Sequence, residues 1–173
     1  MASADGRLVI TYNGEVFNYL ELRRELDGYP FRTGTDTEVV LAAWERWGEK
    51  ACERFIGMFA FVIWDRRERT LWAVRDRFGV KPLYWSRNGP AELMLASEVR
   101  ALHCGEVEAK ADEGQWATWL ATGLSDHSER TFREGVQALP AGTMLRWRGG
   151  EPELRRWYDL AALAGEEDHR SER

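Results

Sequence analysis

Residues 8–12, Leu-Val-Ile-Thr-Tyr, form a β-branched and aromatic run that predicts a short strand. It meets Asn13-Gly14, a pair that tolerates positive φ, so a turn is expected there. From Asn18 the period becomes helical, with Leu22 and Leu26 four apart and Glu21, Arg23, Arg24 and Glu25 left for the wet face. Gly28-Tyr29-Pro30 stops that helix, because glycine favours a C-terminal cap and proline cannot continue the ladder. A second helix is expected from Thr35 or Asp36, where a capping side chain precedes Glu38 in the first turn. Val40, Ala43, Trp44 and Trp47 give it an apolar face, Gly48 ends it, and residues 49–55 add one or two turns.

The period then changes. Residues 58–64, Met-Phe-Ala-Phe-Val-Ile-Trp, are apolar on both alternating faces, as a central strand covered from both sides requires. A polar turn at 65–69 leads into residues 70–74 as the antiparallel partner. Further strands are expected at 83–86 and 93–96, helices at 97–103 and 112–120, and a hairpin of 143–148 with 154–157 across Gly149-Gly150. Doubly covered strands and amphipathic helices predict helices over a sheet core, and the antiparallel hairpins exclude a pure βαβ fold. The pattern alone gives an α+β or layered α/β domain without repeats or linkers, ending in a charged tail from about Gly165.

Composition narrows the partners more than the fold. With 24 basic and 29 acidic residues the net charge is −5, so no global positive field exists to hold nucleic acid or an anionic membrane. No apolar run is long enough to cross a bilayer, and residues 1–7 lack the apolar core of a signal peptide. Cys52 and Cys104 are too few for a disulfide framework, which points to a reduced, cytoplasmic protein. His103, His127 and His169 have no partners at metal or triad spacing, so no metal is expected and none of the three is assigned a role. The nine tryptophans, including the Trp44/Trp47 and Trp116/Trp119 pairs, are expected to serve packing or an interface.

Three stretches carry more than composition: Tyr12-Asn-Gly-Glu-Val-Phe-Asn-Tyr19, Thr35-Asp-Thr-Glu38, and Gly57-Met-Phe-Ala-Phe-Val-Ile-Trp-Asp65 leading to Arg75-Asp-Arg-Phe-Gly-Val-Lys-Pro-Leu-Tyr84. In this order they resemble the glutaminase domain of asparagine synthetases, a class II glutamine amidotransferase of the N-terminal-nucleophile hydrolase type. The likeness continues through Ala96-Ser-Glu98, Arg130-Thr-Phe-Arg-Glu-Gly-Val136 and Leu139-Pro-Ala-Gly142, covering roughly residues 8–159. It implies an α+β fold, the four-layer αββα sandwich, here incomplete, within residues 1–163. It also implies that the Asn13 side chain and the Gly14 N–H form an oxyanion hole. Glu15 and Asp36 would hold the ammonium of glutamine, although the local pattern of Asp36 equally suits a helix cap. Arg75, Asp76, Arg77 and Lys81 are expected to be framework, through ion pairs and the turn around Gly79 and Pro82.

The resemblance also identifies what this chain does not supply. The family nucleophile is an N-terminal cysteine whose thiolate attacks and whose amine serves as base; here no cysteine precedes Cys52. Cys52 reads as a small packing residue, and Cys104 adjoins His103 where neighbouring side chains on a helix do not face each other. The strand that carries the nucleophile and the arginine that grips the substrate carboxylate are likewise missing. Gly149-Gly150 is not a phosphate loop, so no cofactor is expected in this chain; ATP and magnesium belong to a synthetase domain. Expected partners are glutamine, a synthetase-domain chain, or a second copy pairing with an edge at residues 8–12, unless another segment covers that edge. The expectation is an asparagine synthetase-type amidotransferase domain, inactive alone; the alternatives are a degenerate amino-acid-binding or interaction module, or one chain of a split synthetase.

Overall fold

The computed structural model describes residues 1–105, 107–125 and 127–167. Its elements in chain order are β1 (Leu8–Val16), α1 (Tyr19–Glu25), α2 (Asp36–Trp47), a 3-10 turn (Gly48–Lys50), α3 (Ala51–Arg54), β2 (Gly57–Asp65) and β3 (Thr70–Arg75). Then follow β4 (Tyr84–Asn88), β5 (Glu92–Ala96), α4 (Val99–His103), α5 (Glu113–Thr122), β6 (Val136–Ala138), β7 (Thr143–Trp147), β8 (Glu153–Arg156) and α6 (Leu160–Glu167). Two antiparallel sheets result, one in the order β1-β2-β3-β7-β8 and one in the order β5-β4-β6.

Alternation along the strands builds the layers. Phe59, Phe61 and Ile63 of β2, Val74 of β3 and Met144 of β7 face one way, into a core shared with Leu22 of α1 and with Val40, Ala43 and Trp44 of α2. Ala60, Ala73 and Leu145, the intervening residues, face the other sheet and meet Leu83, Trp85 and Leu139. Outside that second sheet lies α4, whose following Gly105 abuts Met94 on the outer face of β5. The succession of helices, sheet, sheet and helix is the α+β, αββα sandwich, and β2 is covered on both faces as its apolar run requires.

A β3–β4 connection pins the two sheets together. Asp76 is 1% exposed, and its carboxylate accepts four backbone N–H bonds: from Phe59 at 3.2 Å, Phe78 at 3.1 Å, Val80 at 3.0 Å and Lys81 at 2.9 Å. Its carbonyl takes the Gly79 and Gly142 N–H groups. Arg75 donates to the carbonyls of Lys81 (2.9 Å), Leu139 (2.6 Å) and Gly79 (2.8 Å). The framework expectation therefore holds with a different bond type. These charges are spent on main-chain groups, and among the described residues neither Arg75 nor Asp76 is in an ion pair.

Two other expectations are corrected and a third is narrowed. Asn13-Gly14 is not a turn, since β1 continues through it to Val16 with Asn13 opposite Ala60 and Gly14 opposite Phe59. The long partner strand β2 supplies ladder bonds that a local dipeptide signal does not register. Thr35, not Asp36, caps α2, accepting the Glu38 N–H on its hydroxyl at 3.4 Å. Trp44 is buried as expected, but Trp116 and Trp119 of α5 are 39% and 40% exposed, packed on each other and on Phe132. The expected tail begins inside α6, and its part from residue 168 onward, with His169, lies outside the described residues. No described helix is long and apolar enough to cross a membrane.

The Asp76 hub sets the first test. Asp76→Ala orphans four buried or half-buried donors, each costing about 1–3 kcal/mol; urea unfolding is expected to show a loss of about 4 kcal/mol or more, with Asp76→Asn intermediate.

Candidate functional site

Along β1 the main-chain groups of residues 8, 10, 12, 14 and 16 point away from β2, toward the free edge of the sheet. Residues 1–3 fold back over the first part of that edge. Met1 exchanges bonds with Ile10 at 2.9 and 2.8 Å, the Ser3 N–H reaches the Leu8 carbonyl at 2.9 Å, and the Leu8 N–H reaches the Ser3 hydroxyl at 2.9 Å. At the far end the Val16 N–H donates to Asp36 Oδ2 at 3.0 Å. Between them, the outward N–H and carbonyl groups of Tyr12 and Gly14 make no hydrogen bond to any described residue. A polar window is thus left open in an otherwise paired strand.

Glycine is required at this window. Gly14 has φ +154°, and a Cβ there would overlap the carbonyl oxygen of Met58 and the backbone of Phe59. Gly57 mirrors it, since a Cβ there would overlap the carbonyl oxygen of Glu15. The two glycines let β1 and β2 approach closely where the window opens, and Phe17 N–H to Ile56 O, with the Asn18 amide bridging Arg54 O and Ile56 N–H, fixes the strand's exit.

Three side chains predicted from sequence, Asn13, Glu15 and Asp36, surround the window. Asn13 and Glu15 lie on the face of β1 that looks toward the second sheet, and Asn13 Nδ2 donates one hydrogen to Ser97 Oγ at 3.1 Å, leaving its second free. Glu15 is exposed and its carboxylate has no described partner. Asp36, half-buried at the first turn of α2, holds the edge with Oδ2 alone, taking the Tyr12 hydroxyl at 2.7 Å as well as the Val16 N–H. Burial, and then the adjacent Asp36, push the Tyr12 phenol far above its ordinary range, so it stays a donor. Tyr12 and Ser97 were both within quoted motifs but without a role; their task, orienting Asp36 and Asn13, has no signal in a single sequence because it depends on which strand face meets which loop.

The turn before α2 is held by Glu38. Its carboxylate accepts from Arg32 N–H at 2.9 Å, Thr33 N–H at 2.7 Å and the Thr33 hydroxyl at 2.7 Å. Burial alone would raise its pKa, yet these bonds outweigh burial and hold it below the usual carboxylate range.

Neither cysteine joins the window. Cys52 is fully buried on α3, where burial drives its thiol far up and keeps it protonated. Cys104 is exposed past α4, its Sγ directed to the Arg100 carbonyl at 3.8 Å. Among the described residues, no group of three His, Cys, Asp or Glu side chains is placed to hold a metal ion. The window can therefore offer fixed N–H donors and carboxylates to a ligand.

Comparison with known proteins identifies the family. The "Glutamine amidotransferase domain" family profile matches residues 1–158. Asparagine synthetase [glutamine-hydrolyzing] 2 of Bacillus subtilis is 37% identical over 147 residues, covering 82% of this chain and 19% of its own length. A putative asparagine synthetase [glutamine-hydrolyzing] of Mycobacterium bovis is 44% identical over 164 residues, covering 90% and 25%. The chain thus spans a quarter or less of these relatives. Among solved structures, glutamine phosphoribosylpyrophosphate amidotransferase from B. subtilis superposes with TM-score 0.61 at 21% identity, covering 91% of this chain and 31% of that one. A glutamine aminotransferase class-II domain protein from Silicibacter pomeroyi gives TM-score 0.51 at 18% identity, covering 92% and 72%.

Gly14→Ala tests the close approach of the two strands. Both the positive φ and the overlap with β2 oppose a methyl group, so thermal unfolding is expected to report about 3 kcal/mol or more of lost stability.

Proposed function

This chain belongs to the glutamine amidotransferase domain family, and we propose that its window at Gly14 is a glutamine site of the asparagine synthetase type. The observation that carries the reading is the Gly14 N–H, unpaired among the described residues and framed by the Asn13 amide and the Asp36 carboxylate. Attack on the side-chain amide of glutamine gives a tetrahedral oxyanion. The Gly14 N–H and the free hydrogen of Asn13 Nδ2 are donors fixed before reaction, the arrangement that stabilises such charge. Asp36 has Oδ1 uncommitted and Glu15 both oxygens, so each can accept from the α-ammonium.

In this reading the 173-residue chain binds and polarises glutamine but does not cleave it, because neither Cys52 nor Cys104 joins the window. The full reaction would yield glutamate and ammonia, the latter passing to an aspartate-like acceptor held by a synthetase partner, to which ATP and magnesium are assigned. Calorimetry is expected to show saturable glutamine binding that Asp36→Asn weakens at least tenfold, while an ammonia-release assay stays at background. No heat of binding sinks the reading of the site; ammonia release lost in Asn13→Ala sinks the inactivity.

The open groups of Tyr12 and Gly14 also favour pairing with a second copy at high concentration. Sedimentation velocity is expected to show a concentration-dependent dimer that added glutamine dissociates; a monomer throughout the range overturns this.

A further inference from the structure

A second concavity, about 840 Å³, lies where the β3–β4 connection, α4 and the segment before β6 meet. It is of a size that takes small organic ligands. Arg75 lies on its wall, and the register Asn13↔Ala60↔Arg75 puts it two strands, or about 10 Å, across the sheet from Asn13.

The charge of this cavity opposes that of the chain. Arg75, Arg100, Arg130 and Arg133 line it with His103, and Glu129 is the one carboxylate among its described lining residues. The overall net charge is −5, so basic groups have been concentrated here against the average. Among the described residues, not all of that charge is spoken for. Arg130 is paired with Asp112, and Arg75 is held by carbonyls. Arg133 makes one bond through its guanidinium, to Ala109 O at 3.2 Å, and Arg100 is 92% exposed with only a loose 3.6 Å contact to the exposed Glu98. His103 bonds Val107 O through Nδ1 at 2.9 Å, while its buried Nε2 has no partner among the described residues.

Aromatic rings and small apolar side chains share the remaining walls with Ser125, Ser128 and Thr131. Phe132 borders the cavity with its ring held by Trp116 at 4.7 Å, and Tyr84 and Phe78 stand on other sides, Phe78 66% exposed. Uncommitted guanidinium forks match phosphoryl oxygens, and aromatic faces match a flat ring.

We propose that this cavity binds a phosphate ester carrying a planar ring, a ligand of nucleotide size, with its phosphoryl group on Arg100 and Arg133 and its ring beside Phe132. This site is separate from the Gly14 window and does not rest on the reading of that window.

Uridine monophosphate is the probe, titrated calorimetrically into the full chain in low salt. The expected result is one saturable site, with uridine and inorganic phosphate each at least tenfold weaker. Arg100→Glu, at a side chain too exposed to matter for folding, is expected to weaken binding about tenfold, and adding Arg133→Ala to weaken it further. Phe132→Leu is expected to reduce affinity for uridine monophosphate but not for inorganic phosphate. Absence of saturable binding at millimolar concentration overturns the proposal. So does citrate binding as tightly as uridine monophosphate, or wild-type affinity in Arg100→Glu with an unchanged melting temperature.

Discussion

The carboxylate of Asp76 gathers four main-chain N–H groups that no strand ladder could reach, and the two sheets sit where that bond set puts them. One of the four, from Phe59, belongs to β2; the others belong to the loop that carries the chain over to β4. Burying a carboxylate this deeply is costly unless its lone pairs are filled, and here they are. Arg75 does the complementary job for carbonyls of the same loop and of Leu139. Because the loop is tied at both polarities, the inner faces of the sheets meet through small residues such as Ala60 and Ala73 and large ones such as Trp85.

The same economy explains the window at Gly14. A strand edge normally hides or pairs its polar groups, because unpaired ones invite a foreign strand. Here the edge is covered at one end by residues 1–3 and at the other by Asp36, and is left open between them. The opening coincides with the facing glycines Gly14 and Gly57 and with the Asn13 amide, so strand geometry and donor placement have a common origin. Tyr12 links the two functions, packing its ring against the helix-side core while its hydroxyl orients Asp36.

Much of this was legible in the sequence where a strong period or a breaker carried the signal. The doubly apolar run in β2, the helical stripe of α2 and the Gly149-Gly150 hairpin all appear where their patterns put them. Asn13-Gly14 failed as a turn because its local preference lost to the ladder with β2, and β6 went unseen because a three-residue strand has no period. At the site, the residue types Asn13, Gly14, Glu15 and Asp36 were readable. The pairing of Asp36 with Tyr12, and of Asn13 with Ser97, was not, because each spans more than twenty residues and depends on which face of β1 looks toward which neighbour.

The short segment at residues 1–3 has a consequence for any strand that would join this sheet. It occupies the edge opposite residues 8–10 with four hydrogen bonds, so a newcomer has free access only to the few residues around Tyr12 and Gly14. Extending the contact toward Leu8 means displacing that segment in competition, and at roughly 1 kcal/mol per bond the toll is about 4 kcal/mol, close to a thousandfold in affinity. Residues 1–3 thereby confine the accessible edge to the stretch around Tyr12 and Gly14.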